Sequence, residues 1–260
     1  MKTAVIVQAR YGSSRLPGKA LLPLGAGTVL EQVLARCAAI PGVDIVVCAS
    51  PDTADSDPVA AEGARCGALV VRGSETDVLS RYAKAARAAQ ADIVMRITSD
   101  CPFIDPIVCG KVLGLLAERG VDYASLDMPA SWPHGLDCEA FPARLLYEAE
   151  QNARDPHERE HVTPWIRAHV TQKATLTGPG APFTSMRWTL DYSEDYQFLS
   201  AIAEALGERA RTAPAAEIAS LCLRRPDIFA INAGRCDQNR LASPLRAEIA
   251  TPAIGFPLAA

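Results

Sequence analysis

Within "VQARYGSSRLPGKAL", residues 7–21, three cations, two serines and two glycines crowd behind an apolar run. Arg10, Arg15 and Lys19 keep their charge at any working pH, while Gly12, Ser13, Ser14 and Gly18 let backbone N–H groups approach an anion closely. The combination suits a triphosphate; a basic surface loop is the other reading of the same residues. Neither GxxxxGKS/T nor GxGxxG is present, so the P-loop and dinucleotide fingerprints do not apply. Two aspartates end apolar runs elsewhere. Asp100 in "ITSDCPFID" and Asp191 in "RWTLDYSED" each place a carboxylate where burial is costly unless it meets a cation or finds donors. Converging on one edge, they supply what Mg²⁺ needs when phosphate and water complete its shell. Helix capping is the competing role, more strongly for Asp191, because Ser193, Glu194 and Asp195 offer caps beside it.

Other polar residues carry two readings each. "DPHEREHVTPWIR" holds Asp155, His157, Glu158, Arg159, Glu160 and His161, a run that on an exposed helix forms a solvated face laced with ion pairs. "GSETDVLSRYAKA" reads as a capped helix start in which Asp77 favours the macrodipole. His134, in the Pro-rich "SWPHGLDCE", is structural, exposed or functional. Arg187, shortly before Asp191, either points into a cleft or forms a salt bridge across a sheet.

The elements that position these residues follow from periodicity. "AVIVQ", "DIVVCAS", "ALVVRG" and "DIVMRIT" are almost continuously apolar, which predicts strands buried on both faces. "TVLEQVLARCAAI", "DPVAAEGARCG" and "DVLSRYAKAARAAQ" carry apolar residues at helical spacing, with Thr28, Asp57 and Thr76 as caps. This alternation predicts a mostly parallel, doubly wound sheet whose ligand edge lies at the carboxyl ends of its strands. The basic loop leaves that edge. In the second half, a helix over "PIVCGKVLGLLAERG" and the segments "VDYASL", "DMPASWPHG" and "LDCEAF" predict antiparallel strands added to the sheet. Helices follow over "ARLLYEAEQNA", "SEDYQFLSAIAEALG" and "AAEIASLCLRRP", with a strand at "MRWTLD". From residue 232 periodicity fades and proline accumulates, which sets residues 1–231 as one domain and 232–260 as a tail packed on it or partly disordered.

Composition narrows the classes. The 260-residue chain is 49% hydrophobic and 22% charged with a net charge of -4, which argues against a general nucleic-acid or membrane-surface binder. Any basic site is therefore local. The opening "MKTAVIVQAR" is too short an apolar run for a signal h-region or a spanning helix, so a cytoplasmic protein is expected. Eight scattered cysteines, with no CxxC or zinc spacing, read as small buried hydrophobes kept reduced.

Taken in order, "VQARYGSSRLPGKALLPL", "RGSETDVLSRY", "RITSDCPFIDP", "HGLDCEAF", "DPHEREHVTPWIR" and "RWTLDYSEDY" resemble the cytidylyltransferases that activate 3-deoxy-manno-octulosonate and acylneuraminate. Within that superfamily the chain most resembles the spore coat polysaccharide biosynthesis protein F group. The resemblance implies an α/β, Rossmann-like fold related to the GT-A type, a mostly parallel mixed sheet with helices on both faces and a small antiparallel addition. It implies transfer of CMP from CTP to an oxygen of a sugar or sugar-acid acceptor, with Mg²⁺ as cofactor and pyrophosphate released, in surface polysaccharide or related glycoconjugate biosynthesis. Carried over, Arg10, Lys19 and Asp100 are catalytic, and Ala9, Arg10, Gly12, Ser13, Ser14, Arg15 and Lys19 bind the nucleotide, with Arg10, Arg15 and Lys19 on the phosphates and Ser13 and Ser14 lining the loop. Ser74, Thr76, Asp77 and Arg81 contact the cytosine and ribose, Asp100 and Asp191 bind the metal, and His134, Glu158, Arg159, His161 and Arg187 face the acceptor. A homodimer is expected, formed through residues 123–141. Two rival classes are a nucleotide-sugar-dependent glycosyltransferase and a nucleotidyltransferase for a phosphonate or other non-sugar acceptor. A regulatory nucleotide binder that has lost catalysis would have no need of the complete basic and acidic set.

Overall fold

The computed structural model describes residues 1–128 and 130–237. The first apolar run is β1 (Thr3–Gln8); after the basic loop comes a ribbon of β2 (Pro23–Leu24) and β3 (Gly27–Thr28), then α1 (Val29–Ala38). Alternation continues through β4 (Ile45–Pro51), α2 (Asp57–Arg65), β5 (Leu69–Gly73), α3 (Val78–Ala89), β6 (Ile93–Thr98) and α4 (Pro106–Arg119). The less regular half supplies β7 (Tyr123–Leu126), β8 (Glu139–Pro142), α5 (Ala143–Asn152), α6 (Pro156–His161), α7 (Pro164–His169) and β9 (Lys173–Leu176). Helices α8 (Ser193–Leu206), α9 (Ala215–Arg224) and α10 (Pro226–Phe229) close the described chain.

Seven strands form one sheet in the order β5-β4-β1-β6-β8-β7-β9. β4, β5 and β6 join β1 in a parallel block, β8 runs antiparallel to both β6 and β7, and β9 pairs parallel with β7. The mixed sheet, with β2 and β3 as a separate antiparallel ribbon, is the expected fold class. Strand alternation explains why both faces are covered: Val5 and Val7 join one core with α1, α4 and α8, while Ala4 and Ile6 join another with α3, α5 and α7. Trp188, Phe103 and Phe198 fill the first and Tyr82, Phe141 and Leu146 the second, each worth roughly 1.5–3 kcal/mol of apolar burial.

Four sequence expectations shift. Thr28 caps α1 as expected, accepting from the Glu31 N–H at 3.0 Å, but α3 is capped by Asp77 rather than Thr76, which is exposed. Asp57 is the first residue of α2, and Ser56 precedes it as the cap position. "MRWTLD" is extended and buried but is not a strand: only Arg187 bridges to His134, because the Pro-rich loop reaches it at a single point. "KATL" instead supplies β9, an edge strand of four residues in which half-buried Lys173 and Thr175 alternate with buried Ala174 and Leu176. Asn232, first residue of the expected tail, is buried; residues 238–260 lie outside the described residues. The eight cysteines are free, and among the described residues no helix is long and apolar enough to cross a membrane.

Candidate active site

β1 and β6 are neighbours, yet the chain leaves β1 towards β4 and reaches β6 on the opposite side. Crossovers that part in this way open a crevice at the carboxyl ends of the two strands. The basic loop starts at one of these ends and Asp100 stands just beyond the other. Ala9 extends β1 by one residue, donating its N–H to Ala49 at 3.1 Å, so only its carbonyl is available to a ligand. At the far side of the loop Gly18 adopts φ 69° and donates to the Tyr11 carbonyl at 2.9 Å. A side chain there would be strained by the backbone and would meet the Tyr11 ring at 3.1 Å.

That closure turns Lys19 inward. Its Nζ donates to Asp100 Oδ2 at 3.2 Å, to Asp191 Oδ1 at 3.0 Å and to the Leu190 carbonyl at 2.6 Å. Burial alone would lower the ammonium's pKa, but the two carboxylates outweigh it and raise the pKa above the ordinary lysine value. Arg15 reaches the same carboxylate, Nη2 to Asp191 Oδ1 at 3.2 Å, and donates to the Tyr192 hydroxyl at 3.1 Å. Arg10 is exposed and forms no hydrogen bond or ion pair among the described residues. Ser14 is exposed, and Ser13 Oγ accepts from the Leu16 N–H at 3.4 Å. A Cβ on Gly12 would lie 3.5 Å from Glu75 Oε1, so the loop abuts the segment that begins at Ser74.

Asp100 and Asp191 are held from outside the cleft, and neither caps a helix. Asp105 caps α4, accepting from Ile107 at 2.8 Å and Val108 at 3.0 Å. The Thr98 hydroxyl donates to Asp100 Oδ1, leaving Oδ2 to Lys19. Asp191 Oδ2 takes Arg187 Nη2 at 3.0 Å. Burial raises the Asp191 pKa, yet Lys19, Arg187 and Arg15 hold it below its ordinary value. Behind it lies Asp195, fully buried, which sequence reading treats only as a rival cap. Its two oxygens accept from Arg187 Nε at 2.8 Å, Arg187 Nη2 at 2.9 Å, the N–H groups of Asp191 at 3.0 Å and Tyr192 at 3.1 Å, and Asn232 Nδ2 at 3.0 Å. Arg187 therefore pairs within its own turn, not across the sheet.

Oδ2 of Asp100 and Oδ1 of Asp191 already point at one cation, the Lys19 ammonium. An all-oxygen pair that converges on a point suits a hard divalent ion completed by phosphate and water. The cluster Glu31, Glu62 and Cys66 is a weaker case, because Arg65 and Arg211 already compensate its carboxylates.

Ser74, Asp77 and Arg81 shape one turn. Ser74 Oγ accepts from the Asp77 N–H at 3.0 Å, and Asp77 Oδ1 accepts from the Ser80 N–H at 3.0 Å. Arg81 is buried beneath and donates to the Ser74 carbonyl, so it supports this segment from within. Arg159 donates to the other Asp77 oxygen and to the Glu150 carbonyl at 2.9 Å. Burial raises the Asp77 pKa, but the Arg159 and Ser80 hydrogen bonds bring it below its ordinary value.

Beyond Thr98 opens a cavity of about 460 Å³. Its floor is the sheet surface, with Arg96, Glu139, Tyr123, Ser125, Lys173 and Thr175; α6 and α7 contribute His157, His161, Thr163 and Arg167. The motif "DPHEREHVTPWIR" thus reaches this cavity through His161 as expected and through three unassigned residues, whereas Glu158 and Arg159 are not in its lining. Burial and the neighbouring His157, Arg96 and Arg167 side chains lower the His161 pKa. His134 lines the mouth, its Nδ1 3.2 Å from Arg187 Nη1. Gly135 beside it has φ 110°, and a Cβ there would lie 2.6 Å from the Trp188 carbonyl carbon. Arg96 and Glu139 were missed in the sequence: Arg96 Nη1 donates to Glu139 Oε2 at 2.8 Å, and Thr163 and the Tyr123 hydroxyl donate to Oε1. Charged residues inside the apolar runs "DIVMRIT" and "LDCEAF" were the available signal.

A cationic loop at a switch point, facing two carboxylates, defines a nucleotidyltransferase type of site, and the sequence comparison agrees. The profile described as cytidylyltransferase matches residues 4–209, and the chain belongs to the cytidylyltransferase family. It is 34% identical over 232 residues to the spore coat polysaccharide biosynthesis protein SpsF of Bacillus subtilis (strain 168), covering 85% of this chain and 94% of that protein. Among solved structures it is similar to a cytidylyltransferase from Leptospira borgpetersenii serovar Hardjo-bovis (strain JB197), with TM-score 0.80 and 28% identity over 88% of this chain and 97% of the other. A CMP:2-keto-3-deoxy-manno-octonic acid synthetase complexed with CTP shares the fold at TM-score 0.60 and 18% identity, over 79% of this chain and 99% of its own.

Proposed function

We propose that this chain transfers CMP from CTP to an oxygen of a sugar or sugar-acid acceptor and releases pyrophosphate, in surface polysaccharide or related glycoconjugate biosynthesis. The single observation that carries this reading is the Lys19 ammonium held between Asp100 and Asp191, next to a cavity of about 460 Å³ whose lining includes Thr98, bonded to Asp100, and His134, linked to Asp191 through Arg187. In the reaction the acceptor oxygen bonds to the α-phosphorus while the bond from phosphorus to the pyrophosphate oxygen breaks. Such a transfer needs positioning and charge neutralisation more than a covalent nucleophile. Arg10 and Arg15 neutralise the outer phosphates, and Lys19 moves from the carboxylates onto the triphosphate. Asp100 and Asp191 would hold Mg²⁺, which when bound polarises the α-phosphate and acidifies the acceptor hydroxyl. Backbone groups of the Ser74–Asp77 turn meet the base and ribose, and Arg81 and Arg159 keep that turn in place. His134 and His161 face the acceptor. The same reading makes the protein a cytoplasmic homodimer that associates through residues 123–141.

The test is nucleotide choice followed by turnover. CTP should raise the melting temperature more than ATP, GTP or UTP at equal concentration, since stabilisation follows ligand concentration over dissociation constant. Pyrophosphate should then appear from CTP with a member of a sugar-acid panel. A larger shift with another nucleotide contradicts the assignment.

A further inference from the structure

Arg167 and Lys173 are cations without a directly hydrogen-bonded anion. Both line the cavity, both are half-buried, and neither forms a hydrogen bond or close ion pair through its side chain among the described residues. Of the three acids that line the cavity, Asp137 and Asp237 are not without partners, and Glu139 is already satisfied by Arg96, Thr163 and Tyr123; Arg167 acts on Glu139 only at longer range. Two partly desolvated cations whose donors meet no anion directly are poised to take one from a ligand.

Their position sets where that anion lies. Arg96, Glu139, Ser125 and Thr175 stand in register across β6, β8, β7 and β9. β9 is three strand spacings from β6, roughly 14 Å at about 4.8 Å each. Thr98 and Asp100 mark the reacting end on the β6 side, while Lys173 opens β9 in register with Tyr123, the residue on which the charge of Arg167 from α7 also acts. An anion held by Lys173 and Arg167 is therefore remote from the oxygen that attacks phosphorus, not adjacent to it.

We propose that this end of the cavity is a subsite for an anionic group, a carboxylate or phosphate monoester, carried by the acceptor several atoms away from the oxygen that receives CMP. The proposal rests on the cytidylyl-transfer reading for the direction of the acceptor. It adds a second recognition point that selects an extended, charged acceptor and rejects neutral sugars. Arg167 contributes a bidentate donor face and Lys173 a point charge.

The experiment uses the full chain with excess CTP, so that the basic loop is occupied. D-glucose 6-phosphate, D-glucuronate and neutral D-glucose are the probes, and their NMR line broadening is the readout. Wild type should broaden one or both anionic sugars and not glucose, and the stronger of the two tells phosphate from carboxylate. Arg167→Gln/Lys173→Met should lose this broadening at least tenfold, while Lys173→Arg should retain most of it. Equal broadening in the double variant, equal broadening of glucose, or none in a wild type that binds CTP would overturn the subsite. CTP affinity measured on the same samples separates the two readings, because a wild type that fails to bind CTP contradicts the nucleotidyl assignment itself.

Discussion

The N–H of Leu190 donates to the carbonyl of Asp100 across 2.8 Å, tying together the two segments that carry the site's carboxylates. One end of that link is the exit of β6 and the other is the turn braced by Asp195. The convergence of Asp100 and Asp191 is thus built by the backbone before any ligand arrives.

Bracing of this kind makes Arg187 structural as well as electrostatic. It is 5% exposed and pairs with Asp195, which is 0% exposed, so Arg187→Met leaves a buried carboxylate short of its cation. The expected cost is about 3–5 kcal/mol. Arg15→Met removes a partner of Asp191 whose own side chain is 52% exposed, and should cost about 1 kcal/mol or less. Urea unfolding of the two variants checks the contrast, and equal midpoints would count against it.

Acid should weaken the unliganded protein partly through Asp191. Its folded-state pKa lies below the unfolded value, so it binds fewer protons when folded, and its contribution is present above the unfolded pKa and lost as pH falls through the folded one. The window opens near the ordinary aspartate value of about 4 and extends downward. Lys19 has the opposite sign: its pKa is raised, so its contribution is full below the ordinary lysine value and fades only in strong alkali. Stability measured by urea from pH 7 to pH 3 should fall less steeply in Asp191→Asn than in wild type. Parallel curves would contradict the pairing.

Lys19→Ala should weaken CTP binding by tenfold or more. A lysine on an exposed surface loop would be lost with little effect on stability. With its side chain 15% exposed and two carboxylates on it, removal instead leaves like charges facing each other. The variant should therefore lose stability in EDTA and regain it with Mn²⁺, which takes the vacated place between the carboxylates. Calorimetry without nucleotide tests this: Mn²⁺ should bind Lys19→Ala more tightly than wild type, and equal affinity would show that the ammonium and the metal do not compete.

What the sequence made legible was local. The basic loop follows an unbroken apolar run and Asp100 follows one interrupted only by Arg96, so strand end and function could be read together. The parallel block followed from regular alternation. The partners of Asp195, Asn232, Arg96 and Glu139 were not visible, because they lie on other elements and no periodicity marks the pairings. β9 escaped because four residues, two of them polar, carry little signal, and "MRWTLD" misled because a buried extended segment has a strand's composition without its ladder. In "DPHEREHVTPWIR" the helix breaks at Val162, with φ 71°, which turns His157, His161, Thr163 and Arg167 to the cavity and Arg159 away towards Asp77.

The central claim is that Asp100 and Asp191 jointly serve a divalent cation beside the triphosphate, and Asp100→Asn tests it most directly because the amide keeps shape and removes charge. The measurement is CTP affinity across a Mg²⁺ titration, followed by pyrophosphate release with the best acceptor from the panel. Wild-type affinity should rise with Mg²⁺, whereas Asp100→Asn should bind CTP with little Mg²⁺ dependence and turn over about a hundredfold or more slowly. Wild-type Mg²⁺ dependence together with wild-type rates in Asp100→Asn would contradict the account.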